Sequence, residues 1–188
     1  MIPRLLTYKV PKQIPQRLIY KTPLENTYIY KMADTRTGKY VGRMIGNISQ
    51  EFMGSSFYPS LESYKSFFIR ILDVKSKREG HGSSFIKLAY NESRKNGGGG
   101  KIHLVASSCF DPKASSHVFY RKLGFTSRYS ESIKIIDNAI KNKKNLSYKD
   151  IIDTPMYLPD EAIKNFANNS KAKQNKTSIW QKIKNLFK

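Results

Sequence analysis

Acidic residues are scarce in this chain: 14 Asp and Glu stand against 34 Lys and Arg, a formal net charge of +20 over 188 residues. Such an imbalance disfavours a basic partner and favours an anionic one: a phosphate-bearing ligand, an acidic acceptor, nucleic acid or a membrane surface. The excess is lysine-rich and spread along the chain, so most of it reads as solvated surface. Cysteine is almost absent. Cys109 alone forms no intrachain disulfide, which fits a reducing cytoplasm. No run is long and apolar enough to span a bilayer, and the first residues lack the apolar region of a signal peptide. Several chemistries lack their signatures. No Gly-x-Ser-x-Gly elbow surrounds Ser107-Ser108. His81, His103 and His117 have no close Cys or carboxylate spacing of a metal site. Cys109 fits a small buried or rim residue better than an acyl-carrying nucleophile.

The stretch with the clearest organisation is Phe67 to Asn96. Phe67-Phe68-Ile69-Arg70-Ile71-Leu72-Asp73-Val74 is apolar and β-branched, and reads as a strand buried on both faces. Lys75-Ser76-Lys77-Arg78-Glu79 is polar and basic, Gly80-His81-Gly82 closes the loop, and Ser83 to Asn96 has helical spacing. A strand leading through glycines into a helix N-terminus suits a phosphate. The first helical N–H groups have no intrahelical partner, the helix dipole is positive there, and glycine admits close approach. A P-loop is excluded because no lysine follows Gly82, and a dinucleotide fingerprint because Phe85 stands where its third glycine belongs.

What remains is a basic residue, two spacers and Gly-x-Gly, Lys77 to Gly82. This resembles the Arg/Gln-x-x-Gly-x-Gly/Ala loop of the GNAT superfamily of acyl-CoA-dependent N-acetyltransferases, which holds the CoA pyrophosphate. A second match follows. Ser115-Ser116-His117-Val118-Phe119-Tyr120-Arg121-Lys122-Leu123-Gly124-Phe125 is similar to the family's Ala-x-x-x-Tyr-x-Lys-x-Gly-Phe helix, with Ser116 at the small position and Gly124 as a C′ glycine. The resemblance covers roughly Thr27 to Pro159. It implies an α/β fold (α+β by some schemes): a GNAT-like mixed, mostly antiparallel central sheet with a parallel, splayed strand pair and flanking helices. It also implies acetyl-CoA as co-substrate, no metal, and an amine of a small molecule or protein as acceptor.

Along the chain, Pro3, Pro11, Pro15 and Pro23 forbid a long helix in an N-terminal arm, 1–26, although Arg17–Lys21 fits a short strand. The family usually places two helices after its first strand to wall the acceptor site, and here they are reduced or absent. Thr27–Ala33 and Tyr40–Gln50 alternate as a hairpin turning at Gly38. Glu51–Ser63 is an aromatic-bearing loop, either an acceptor cover or an ordinary connection. Gly97–Gly100 is a flexible helix exit. Lys101–Ser108 is the next strand, parallel to Phe67–Val74 through a right-handed crossover. Phe125–Glu131 and Thr154–Pro159 are expected as a final antiparallel pair, with a helix between them in Ser132–Asp150. The acetyltransferase-like domain is thus 27–160. Residues 161–188, with seven lysines against Glu161, form a basic tail. It ends in Ile179, Trp180, Ile183, Leu186 and Phe187 on one arc, with Lys182, Lys184 and Lys188 on the other. This amphipathic helix suits its own domain, a partner groove or an anionic membrane.

The resemblance assigns roles residue by residue. Tyr120 is the general acid that protonates the departing CoA thiolate. Backbone N–H groups near Leu72 and Val74 polarise the thioester carbonyl. Lys77, Arg78, Glu79, Gly80, His81, Gly82 and Ser83 line the phosphate loop, and Ser116, Phe119 and Lys122 lie along the cofactor. Lys77 departs from the usual Arg or Gln, and fewer residues than usual separate Val74 from Gly80. No carboxylate precedes Asp73 within Phe67–Leu72, so the base is Glu62, Asp73 or a water chain. Arg70 in an apolar strand makes a structural ion pair or binds an acceptor carboxylate. A non-catalytic module that binds RNA or membrane through its basic surface and tail is the competing function.

Overall fold

In the computed structural model, residues 17–35, 37–51, 64–75, 79–107 and 115–166 are described. The order is β1 (Arg17–Leu24), β2 (Thr27–Asp34), β3 (Tyr40–Glu51), β4 (Tyr64–Val74), α1 (His81–Lys95), β5 (Ile102–Ala106), α2 (Ser116–Lys122), α3 (Ser130–Lys141) and β6 (Thr154–Tyr157). Residues 160–166 add a short helix, α4. The strands form one six-stranded sheet in the order β1-β2-β3-β4-β5-β6. Every neighbour is antiparallel except β4 and β5, which run parallel. This is the GNAT-like architecture expected above. Cys109, Glu62, Lys77, Arg78, most of the 51–63 loop and the amphipathic tail lie outside the described residues.

The hairpins follow from local chemistry. At the β2–β3 turn, Gly38 has φ 66°, its N–H donates to the Asp34 carbonyl at 2.8 Å, and the Asp34 carboxylate accepts from the Thr37 N–H at 3.1 Å. β1 comes from the proline-bearing first 26 residues and pairs with β2 along its whole length. It is also tied to α1, where Glu92 accepts from Lys21 Nζ at 2.6 Å and from the Tyr30 hydroxyl at 3.0 Å. Burial works against the Glu92 carboxylate, but these two donors outweigh it and hold its pKa below the ordinary value.

β4 is the divide of the molecule. Only its first half is closed on both faces: Ser66, Phe67 and Ile69 are buried and Phe68 is half-buried, whereas Arg70, Ile71 and Asp73 are exposed. The expectation of a strand buried throughout is corrected, and the reason is its neighbour. Pairing with β5 covers only Phe67↔Ile102, Phe68↔His103 and Ile69↔Leu104. Beyond Ile69 the two strands part, and β4 runs on to Val74 paired with β3 alone.

α1 presents His81, Gly82, Phe85, Ile86, Ala89, Tyr90 and Ser93 as one buried stripe, the period expected of a helix laid on a sheet. Below it, Tyr30, Met32, Met44, Phe67, Ile69, Ile102, Leu104 and Met156 form the core. The helix begins at His81 rather than Ser83, because Gly80 turns the chain at φ 75° and Gly82 already lies in the first turn. Gly97, Gly99 and Gly100, all at positive φ, serve the turn out of the helix.

Phe125–Glu131 is not a strand. Only Thr126 bridges Tyr157, and Ser130 already starts α3. Ile133, Ile136, Ala139 and Ile140 give α3 an apolar stripe against the core, and Glu131 sits favourably in its first turn. The helix therefore takes Ser130 and Glu131, the last two residues of the expected strand. β6 instead pairs with β5 antiparallel. Gly124, at φ 93°, ends α2 as expected. A bidentate pair joins α2 to α3, with Arg121 Nε and Nη2 donating to Asp137 Oδ1 and Oδ2 at 2.7 and 2.8 Å.

Candidate active site

Three structural features converge around the parting of β4 and β5. The first is a bulge. Ile71 stands opposite Ile45 and Ile69 opposite Gly46, so Arg70 is an extra residue on β4. A bulge inserts one residue and reverses the alternation beyond it. Before the bulge, the Phe67 N–H points to the β5 side, donating to the Lys101 carbonyl at 3.0 Å. After it, the Lys75 N–H points the other way, donating to Val41 on β3 at 3.0 Å. Alternation back from Lys75 turns the N–H groups of Val74 and Leu72 away from β3, into the gap that β5 has left. Without the extra residue those positions would face β3. Gly46 permits the irregularity, since a Cβ there would lie 2.5 Å from the Phe68 carbonyl oxygen.

The second is the N-terminus of α1. Ser84 N–H returns to the Gly80 carbonyl at 3.1 Å, and its hydroxyl donates to the same oxygen at 3.0 Å. The N–H groups of His81, Gly82 and Ser83 precede the first intrahelical bond, and Ser83 is exposed. His81 is buried. Its Nε2 meets Glu79 Oε2 at 2.9 Å, and its Nδ1 has no partner among the described residues. The Glu79 carboxylate thus supports the histidine, while its charge suits no phosphate directly.

The third is α2. Ser116 Oγ donates to the Ser107 carbonyl at 2.6 Å and accepts from the Ser107 N–H at 3.0 Å, which clamps the helix to the end of β5. Tyr120 is one turn further on the same face. It is 6% exposed, and its ring lies against Phe119 and Phe125 with centroids 5.0 and 5.5 Å away. Its hydroxyl makes no hydrogen bond to a described residue, and burial pushes the phenol pKa up, so it is protonated at neutral pH. Phe119 reaches α1. A Cβ on Gly82 would lie 2.8 Å from the Phe119 ring tip. The adjacent residues Phe119 and Tyr120 therefore couple the loop to the end of β5. Lys122 is exposed in the last turn of α2.

Ile71 and Val105, 43% and 45% exposed, flank the opening on its two strands. The arrangement offers a slot between strands, two N–H groups aimed into it, a helix N-terminus, and a protonated phenol. Chemically it can hold an extended acyl carrier, bind an anion at one end and polarise a carbonyl inside. Asp73 is exposed on β4 opposite Arg43.

The other two histidines are structural in their contacts. His103 on β5 has Nδ1 2.7 Å from Ser66 Oγ and Nε2 3.5 Å from Ser49 Oγ, and stacks on Phe68 at 4.7 Å. His117 meets Ser115 Oγ at 3.0 Å and the Ile152 carbonyl at 3.2 Å. The Ser49–His103–Ser66 group escaped the sequence reading; its signal was polar residues at alternating positions of three apolar strands. Burial lowers the pKa of both histidines, that of His103 to about 3. Between about pH 6.5 and 3 the unfolded chain therefore takes up a proton on His103 that the fold refuses. Stability is full above the unfolded pKa and falls with acidification by up to about 1.4 kcal/mol per pH unit for that one group. Denaturant melts at pH 7, 6 and 5 should show a shallower decline for His103→Asn than for the parent, whatever its starting stability. Equal slopes would contradict the buried neutral imidazole.

No family model matches the chain, and no curated protein matches it. Among solved structures, a bacterial toxin is similar over 77% of this chain and 73% of its own, at 13% identity and a TM-score of 0.48. A tyrosine-to-phenylalanine mutant of the AtaT toxin, bound to the C-terminus of the antitoxin AtaR and acetyl-CoA, is similar over 73% of this chain and 70% of its own, at 13% identity and 0.45. A similar mutant of KacT gives 74% and 75%, at 12% identity and 0.46. Likenesses at this level carry no weight for activity or partners.

Proposed function

We propose that this protein is an acyl-CoA-dependent N-acetyltransferase that moves an acetyl group from acetyl-CoA to an amine by direct attack on the thioester. The observation that carries this reading is the bulge at Arg70, which aims two backbone N–H groups into the slot where β4 and β5 separate. A slot without donors would suit any extended ligand. Donors aimed at its interior suit a carbonyl that gains negative charge in the transition state.

In this reading the pyrophosphate lies against the N–H groups of His81, Gly82 and Ser83, and the pantetheine arm enters between β4 and β5. The Leu72 and Val74 N–H groups hold the thioester oxygen. Attack by the amine places charge on that oxygen, and collapse expels the thiolate. Tyr120 meets the sulfur with its hydroxyl proton. Because burial makes the phenol a weaker acid, its contribution is a hydrogen bond that strengthens as charge appears on sulfur, with the proton following as the thiolate departs. Ser116, bonded twice to Ser107, positions α2 beside the cofactor. Release of free thiol from acetyl-CoA, measured with and without a panel of primary amines, tests the activity. Amine-dependent release supports it; binding of acetyl-CoA with no transfer to any amine would leave the fold as a binding module, the reading that the net charge of +20 favours.

A further inference from the structure

Arg70 does more than shift the strand's phase. Its Nε donates to Asn47 Oδ1 at 3.3 Å, and its guanidinium lies 6.0 Å from the centroid of the Phe68 ring. Asn47 and Phe68 are register partners. They lie on the sheet face opposite Phe67 and Ile69, which belong to the core beneath α1. The side chain is therefore anchored by one N–H, backed by an aromatic ring, and exposed. Elsewhere Lys21, Lys101, Arg121, Lys134 and Lys144 all find carboxylates. Arg70 has no acidic partner among the described residues, and none of them accepts from its terminal nitrogens. The structural ion pair expected as one alternative is made with none of the described residues.

A guanidinium held by Nε with its Nη pair free is the arrangement that receives a carboxylate or phosphate. Its place gives it a role. Arg70 is the residue immediately after the last β4–β5 pair, where the slot opens, and two before Leu72, whose N–H faces the thioester position. An acceptor whose nitrogen reaches the carbonyl carbon there has its neighbouring substituents beside Arg70.

We infer that Arg70 is the specificity-determining residue of the acceptor site, and that the acceptor is an amine carrying a carboxylate or phosphate a few bonds from its nitrogen. The inference rests on the acetyltransferase reading above. In the step concerned, the amine nitrogen bonds to the carbonyl carbon, and the C–S bond breaks with its electron pair on sulfur. The proton lost by nitrogen balances the one gained by the thiolate. Arg70 stays charged throughout and contributes by binding and orienting the acceptor.

The test uses the full chain with three probes: 3-aminopropanoate, 2-aminoethyl phosphate and 3-aminopropanamide, in which a neutral amide replaces the anionic group. Thiol release should favour at least one acid over the amide by about 10- to 100-fold in kcat/KM, the effect of charge-assisted hydrogen bonds, expressed mainly in KM. The better acid identifies carboxylate or phosphate as the recognised group. Arg70→Gln should bring the acid-to-amide ratio near one, and Arg70→Lys should restore part of it. A ratio near one in the parent, or a preference that survives Arg70→Gln, would overturn the inference. If no probe is acetylated although acetyl-CoA binds, calorimetry of the same acids on the CoA-bound protein decides Arg70 separately from the catalytic reading, which the wider amine panel tests. Binding that Arg70→Gln removes supports its role, and the absence of such binding refutes it.

Discussion

Tyr120→Phe should lower turnover by about 10²–10⁴-fold, the range for a positioned acid, while acetyl-CoA affinity and melting temperature stay near those of the parent. The expectation comes from what the hydroxyl does not do in the fold. It bonds to no described residue, and the ring alone makes the contacts with Phe119 and Phe125. Removing one oxygen therefore leaves α2 and the core as they were. Only the interaction that grows with charge on sulfur is lost, so the effect should fall on kcat and not on binding. Steady-state kinetics with calorimetry on the same variant separates the two. A Phe variant of full activity would assign the proton to water.

A second large effect is expected at Gly82. Valine there should cost acetyl-CoA affinity about 100-fold or more, equivalent to losing about two charge-assisted N–H bonds to phosphate at about 1.5–3 kcal/mol each. The reason is crowding at one point. A Cβ would lie 2.8 Å from the tip of the Phe119 ring, so the ring must move, and the branched side chain also covers the N–H groups of the first turn. Phe119→Ala in the same chain relieves the first problem and not the second. The double variant should melt like Phe119→Ala alone and still fail to bind. Normal binding by Gly82→Val would remove α1 as the phosphate site.

What the sequence disclosed was what neighbouring residues encode. The hairpin at Gly38, the strand leading into α1, the glycine turn after it and the end of α2 at Gly124 all have local signatures: alternation, helical spacing, and glycine where φ is positive. The bulge at Arg70 has none, because it is defined only by which β3 residue stands opposite, a register fixed between Met44 and Gly46. Alternation alone would have put the N–H groups of Leu72 and Val74 toward β3. Phe125–Glu131 falls short of the expected strand for a related reason: only Thr126 finds a partner, Tyr157, and α3 starts at Ser130. The Ser49–His103–Ser66 contacts join three strands and are likewise visible only after pairing. Tyr120 was legible by its spacing in a family pattern, but its burial and its unbonded hydroxyl were not.

In the proposed arrangement acetyl-CoA lies between β4 and β5, with its thioester oxygen on the bulge-aimed N–H groups and its phosphates on the first turn of α1. Amide nuclear magnetic resonance of the full chain, titrated with acetyl-CoA, reads each of those N–H groups directly. The largest shifts should fall on Leu72, Val74, His81, Gly82 and Ser83, with desulfo-CoA reproducing those of α1 but not those of Leu72 and Val74. Saturable binding that leaves these five amides unmoved, or no binding at all, would contradict it.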